Sequence, residues 1–146
     1  MDLIETIQPG MGREALYRVA EEHTASHVGS GTLRVLATPW MIAYMERAAR
    51  DFLSERLPEG YTSVGVRVDV QHLAPSLVGS EVRVYARVLS LDGNRVNFSV
   101  EAWDGPEQIG VGEHQRVVVD EARFLRRIAA KMESSDQSGI TGSRVS

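Results

Sequence analysis

TPWMIAYMERAARDFLSERLPEG, residues 38–60, runs straight into YTSVGVRVDVQH, residues 61–72, and the fold turns on this junction. In the first part Met41, Met45, Ala48 and Phe52 recur at intervals of four, three and four, with Ile42, Ala49 and Leu53 beside them. Those intervals lie on one side of a helix with 3.6 residues per turn and give it a wide apolar stripe. Thr38 is of a type that caps helices, and Pro39 then falls at the first helical position, where its missing N–H costs nothing. Pro58-Glu59-Gly60 stops the helix after about five turns. At Val64 the period changes to two. Val64, Val66, Val68 and Val70 alternate with Gly65, Arg67, Asp69 and Gln71, the pattern of a strand with one buried face.

Period two continues downstream. Val82, Val84, Ala86 and Val88 alternate with Arg83, Tyr85 and Arg87, and Val96, Phe98, Val100 and Ala102 follow a hairpin signal at Asp92-Gly93-Asn94. After Asp104-Gly105-Pro106 a last strand leads through Ile109 and Val111 to Val117–Val119. Gly110 and Gly112 inside it mark a bulge or a close backbone approach. Turns this short dictate an antiparallel meander. Upstream, Glu14–Glu22 reads as a first strand and His23–Thr32 as a small, polar loop. The sequence therefore predicts an α+β chain: one strand, one long helix, then four strands, the helix covering one face of a curved antiparallel sheet of about five strands. Residues 1–132 read as one domain and 133–146 as a disordered tail rich in Ser and Gly.

Composition narrows the function. The 146 residues carry a net charge of −4, against nucleic acid as a partner. The basic cluster Arg123, Arg126, Arg127 and Lys131 has the spacing of one solvated side of a terminal helix. There is no cysteine, so no thiolate nucleophile or disulfide, and a reducing cytoplasm is the expected location. No apolar run reaches the roughly 20 residues that span a bilayer, and Met1–Gln8 lacks the pattern of a signal peptide, so no membrane partner is expected. The histidines at 23, 27, 72 and 114 are scattered and form no metal-binding pattern, so no metal is expected.

Three polar residues stand out against the pattern: Thr38 at the helix start, Glu46 near the apolar stripe, and His72, which ends the series Val64, Val66, Val68, Val70 at the same parity and so is expected on the buried face. Each also has a purely structural reading, as a helix cap, as an ion pair with Arg50, and as a strand-end histidine. Periodicity alone does not bring the three together.

The order A-T-P at 37–39, a long helix carrying Glu46, V-x-V-Q-H at 68–72 and A-P-x-x-x-G-x-x-V at 74–82 resembles the hot-dog fold. Together with G-V-G-E-H-Q-R at 110–116, it is similar to the fluoroacetyl-CoA thioesterase-like family, over roughly residues 8 to 130. The resemblance implies hydrolysis of an acyl-CoA or acyl-carrier thioester, with Thr38, Glu46 and His72 as catalytic residues. It implies a site at the interface of a homodimer, or within a tetramer, where His72 acts with Thr38 and Glu46 of the other subunit. Arg116 takes the place of the motif arginine, as a contact to CoA phosphate or as an ion-pair partner, and His114 reads as structural. No cofactor is implied beyond the coenzyme A of the substrate. A Glu46 desolvated among apolar neighbours suits base work or attack as a carboxylate. His72 would take a proton or orient Thr38, and the N–H groups of a helix start suit an oxyanion. Residues 25–32 contain no aromatic that would build a tight apolar lid, so fluoroacetyl selectivity is not carried over. The alternatives are a non-catalytic acyl-CoA-binding protein of the same fold, a hot-dog hydratase or dehydratase, and a tailoring or ligand-carrying α+β roll.

Overall fold

The computed structural model describes residues 5–137. Strand β1 is Gly12–Arg18, helix α1 is Ala25–Val28, helix α2 is Thr38–Ser54, and strands β2 to β5 are Tyr61–His72, Glu81–Asp92, Arg95–Asp104 and Glu107–Asp120. A final helix, α3, is Glu121–Gln137. The five strands form one antiparallel sheet in the order β1-β3-β4-β5-β2. The meander is β3-β4-β5. Strand β2 lies outside it, on the far edge beside β5, so residues 73–80 carry the chain across the sheet to β3.

Helix α2 packs on one face of this sheet. Met41, Tyr44, Met45, Ala48, Ala49, Phe52 and Leu53 are buried, a strict three-four repeat. Tyr44 takes the place expected of Ile42, which stays partly exposed. The even-numbered residues Val82–Val88 on β3 and Val96–Ala102 on β4 meet the helix, and Phe98 packs edge-on against Phe52 with centroids 5.9 Å apart. Gly110 allows the close approach expected there: a Cβ at that position would stand 2.5 Å from Sδ of Met41.

Three expectations change. First, the alternation of β2 is not continuous. The register with β5 slips between Gly65 and Arg67, leaving Val66 as a bulge. Parity therefore flips at Val66. Gly65, Val68, Val70 and His72 lie opposite Arg116, His114, Gly112 and Gly110 on the helix side, whereas Val64 turns away. Second, β1 ends at Arg18, and the expected loop after it is partly helical: a 3₁₀ turn at Glu21–His23, then α1. The hydroxyl of Thr24 caps α1 by accepting the N–H of His27 at 3.3 Å. Third, α3 runs to Gln137, so residues 133–137 of the expected tail are helical. Residues 138–146 lie outside the described residues. Among the described residues no helix is long and apolar enough to cross a membrane.

Candidate active site

Thr38 does not cap α2. The N-cap is Ala37, with extended backbone, and Thr38 is the first helical residue with Pro39 after it. Its hydroxyl is thereby released, and it lies 2.8 Å from Nδ1 of His72. Thus the end of β2 and the start of α2 bring together two of the three residues picked out in the sequence, and they do so within one chain. Nε2 of His72 is enclosed and has no hydrogen-bond partner among the described residues, so the ring addresses its surroundings through Nδ1. Burial lowers the pKa of His72, against a smaller upward pull from the backbone of Ala74. The imidazole is therefore neutral at pH 7, the form able to take a proton.

Glu46 stands elsewhere. It lies eight positions along the helix from Thr38, a rise of about 12 Å. It is not desolvated in the apolar stripe, because its side chain is 40% exposed, and it faces Nη1 of Arg116 at 3.9 Å. The expected partner, Arg50, pairs with Asp51 instead at 2.9 Å. Arg116 is 6% exposed, and its donors go to Oγ and the carbonyl of Ser63 and to Nε2 of His114. Within this chain those contacts anchor Arg116 to β2 and β5 and set it against Glu46. His114 is buried too. Its Nδ1 lies 2.9 Å from the carbonyl of Arg67, an acceptor only, so Nδ1 carries the proton and Nε2 accepts from Arg116. Both ring nitrogens of His114 are thus engaged within the chain, and its pKa is lowered by burial. The chain Arg67 carbonyl–His114–Arg116–Glu46 fixes the second group of polar residues.

Sequence reading missed what holds Thr38 in place. Nδ1 of His23 accepts the N–H of Ala20 at 3.1 Å, and so accepts the hydroxyl of Tyr44 as well at 2.7 Å. The ring of His23 lies 4.1 Å from that of Trp40, and Tyr44 stacks on Tyr17 at 4.7 Å. Burial pushes the pKa of Tyr44 up to about 12, which keeps its hydroxyl a donor. The carbonyl of His23 accepts the N–H of Ala37 at 2.8 Å. Segment 20–37 is thus pinned to the start of α2. Only an aromatic residue at an interior helical position hinted at this, and nothing in the sequence pairs it with His23.

Thr38 and His72 border a cleft of about 360 Å³ between segment 25–37 and residues 73–75. Glu46 and Arg116 border a separate one of about 230 Å³ with Arg47 and Arg50. A third cleft, about 500 Å³, lies beside α3 between Tyr61, Asn94 and Arg127, and holds none of the candidate residues. Among the described residues no cluster of three or more His, Asp or Glu side chains could hold a metal ion.

The model of a family described as fluoroacetyl-CoA-specific thioesterase matches residues 19–122. A fluoroacetyl-CoA thioesterase of Streptantibioticus cattleyicolor is 34% identical over 97 residues, 66% of this chain and 70% of that relative. A crystal structure of a mutant fluoroacetyl-CoA-specific thioesterase, in complex with fluoroacetate and CoA, superposes with a TM-score of 0.77 at 29% identity, covering 81% of this chain and 99% of that one. A hot-dog-like protein from Thermanaerovibrio acidaminovorans superposes with a TM-score of 0.83 at 29% identity, covering 99% of this chain and 100% of that one. The fold is therefore the hot-dog fold, a five-stranded antiparallel sheet with a helix against it.

Proposed function

Because this chain belongs to the fluoroacetyl-CoA-specific thioesterase family, we propose that it hydrolyses an acyl-CoA thioester to free acid and thiol at the Thr38–His72 pair. The observation that carries this reading is the 2.8 Å contact between Oγ1 of Thr38 and Nδ1 of a neutral, half-buried His72. In the first step the Thr38 hydroxyl attacks the thioester carbonyl while its proton passes to Nδ1 of His72. The tetrahedral oxyanion forms at the N-terminal end of a 17-residue helix, where the helix dipole is positive. Collapse expels the CoA thiolate, which takes the proton back from His72. Water then hydrolyses the Thr38 ester. Hydrolysis consumes only water, so no cofactor is required beyond the coenzyme A of the substrate. A chain without cysteine suits the reducing cytoplasm in which we place it.

Glu46 joins this chemistry from a second copy. Strand β2 is a sheet edge, and Val66 and Val68 on it are 48% and 38% exposed. An unpaired edge with apolar side chains invites pairing. Antiparallel pairing of two β2 strands about an axis at Asp69 sets Val68 of one copy opposite Val70 of the other, both on the helix side, and across the bulge at Val66 brings His72 of one copy beside Gly65 of the other. A Cβ on Gly65 would lie 2.7 Å from the Glu46 carboxylate, so Glu46 and Gly65 are neighbours. The homodimer then presents the Glu46 of one copy to the Thr38 and His72 of the other, where it activates the deacylating water. This retains the expected composite site but draws Thr38 and His72 from the same subunit.

The test is thiol release from a panel of acyl-CoAs by the wild type and Glu46→Gln, with mass spectrometry of acid-quenched enzyme. Release by the wild type, with an acyl adduct on Thr38 that accumulates in Glu46→Gln as release slows, supports the whole scheme. Release without an adduct moves the attack to water, with Thr38 orienting it. Binding of CoA esters with no release marks a binding protein, and hydration of an enoyl-CoA without thiol release marks a hydratase.

A further inference from the structure

The cleft at Thr38 and His72 is larger than a two-carbon acyl group needs. Its walls come from the α1 segment, from Val35 and Leu36 on the way to α2, and from Leu73 to Pro75 after β2. Among the described residues the polar side chains that line it are Ser30, Thr38 and His72, and none is a fixed charge. Within one copy the cleft therefore offers no counter-ion to an acyl group with a second carboxylate, since such a charge needs a paired cation when desolvated, and the group the second copy presents to Thr38 and His72 is the Glu46 carboxylate, itself an anion.

The surroundings are apolar and open to solvent. Leu73 is 50% exposed, Leu33 68%, Leu77 65% and Val28 42%. These four sit on the segments that form the cleft. Val28 closes α1, the carbonyl of Leu33 accepts the N–H of Ser26 in α1, and Leu77 bridges Val35. Single exposed apolar residues are ordinary, but several grouped beside a reactive polar pair mark a surface that takes an apolar ligand. Size points the same way. The cleft is open to solvent along one side, so at roughly 30 Å³ per heavy atom, the share of a water in the liquid, its volume of about 360 Å³ sets an upper bound of about a dozen heavy atoms. A fluoroacetyl group, with two carbons, an oxygen and a fluorine, fills about a third of that volume.

We infer that the acyl group of the natural substrate is an uncharged aliphatic chain of roughly six to ten carbons, seated between α1 and residues 73–75. This rests on the thioesterase reading and goes beyond it in assigning the substrate class. Each buried methylene is worth about fourfold in binding, so four additional carbons, half buried, give at least about tenfold.

The experiment measures kcat/KM for acetyl-, fluoroacetyl-, succinyl-, hexanoyl- and octanoyl-CoA with the full chain. It repeats the series on Ser30→Phe, which narrows the cleft from its exposed side. The expected result is a rise of tenfold or more from acetyl to octanoyl, and a fall of tenfold or more in the octanoyl-to-acetyl ratio in Ser30→Phe. Acetyl, fluoroacetyl or succinyl turned over as well as octanoyl overturns the chain-length assignment and leaves the thioesterase reading standing. If no ester is cleaved, the thioesterase reading falls, and calorimetry with the inert thioethers S-ethyl-CoA and S-octyl-CoA decides the cleft. Tighter binding of the octyl compound upholds the assignment, and equal binding overturns it.

Discussion

Removing the Thr38 hydroxyl separates the chemical role of this residue from its structural one. The sequence makes Thr38 a helix cap, and loss of a cap costs about 1 kcal/mol, up to 2. In the structure Ala37 occupies the cap position and no side chain caps α2. Thr38→Ala therefore loses one hydrogen bond, to His72, worth about 1 kcal/mol. Against that, alanine gains about 0.5 kcal/mol of helix propensity over threonine. The net change is a few tenths of a kcal/mol, which shifts the melting temperature of a chain this size by about 2 °C or less. Activity behaves differently. A group that delivers or receives a proton in the transition state contributes about 10² to 10⁴ in rate, so kcat for the best acyl-CoA falls at least a hundredfold. Thr38→Ser keeps the hydroxyl and retains activity within about tenfold. Calorimetric melts and thiol-release kinetics on both variants check the pair of outcomes. A Thr38→Ala protein within threefold of wild-type kcat refutes the assigned role, and one that melts 6 °C lower restores the cap.

Burial lowers the pKa of both His72 and His114, so the acidic limb of kcat/KM against pH, set by His72, has its midpoint below the ordinary value of about 6.5. The same shifts set a stability slope. Below pH 6.5 the unfolded chain binds protons on these histidines that the native chain refuses, so stability falls as pH drops through that value, and His114→Gln flattens the slope of melting temperature against pH. Arg116→Met strips a buried cation from Glu46, Ser63 and His114. Glu46 is 40% exposed and is left solvated, so the loss comes from Nε2 of His114 and the Ser63 acceptors left without their donor, about 1 to 3 kcal/mol, read as the shift in a urea midpoint. Arg116→Lys does not restore it, because a lysine lacks the fork that serves Ser63 and His114 at once. The double variant Val66→Asp, Val68→Lys leaves the fold intact, since both side chains are exposed, but yields a monomer by light scattering with thiol release down at least tenfold.

The sequence carried most of the fold because most of it is periodic. A stripe at 41, 45, 48 and 52 has one low-energy home, a helix with a sheet against it, and period-two runs broken by Asp92-Gly93-Asn94 and Asp104-Gly105-Pro106 leave little freedom to a meander. Reading failed where a local event resets the count. The bulge at Val66 has no compositional signature beyond Gly65, yet it turns Val64 outward while Val68, Val70 and His72 face the helix. Tyr44 was hidden because an aromatic with a polar tip counts as neither core nor surface until its hydroxyl finds a partner.

The site divides the same way. The sequence by itself determined which residues are available: a threonine at a helix start, a glutamate on that helix, a histidine ending the next strand, and the family to which that order belongs. Only the tertiary structure decided that Thr38 and His72 meet in one chain while Glu46 turns to Arg116. The physical reason is that backbone hydrogen bonding sets element type locally, whereas strand register, the bulge and the crossing of α2 over the sheet set distances between residues 34 positions apart, and those follow from packing the whole core at once.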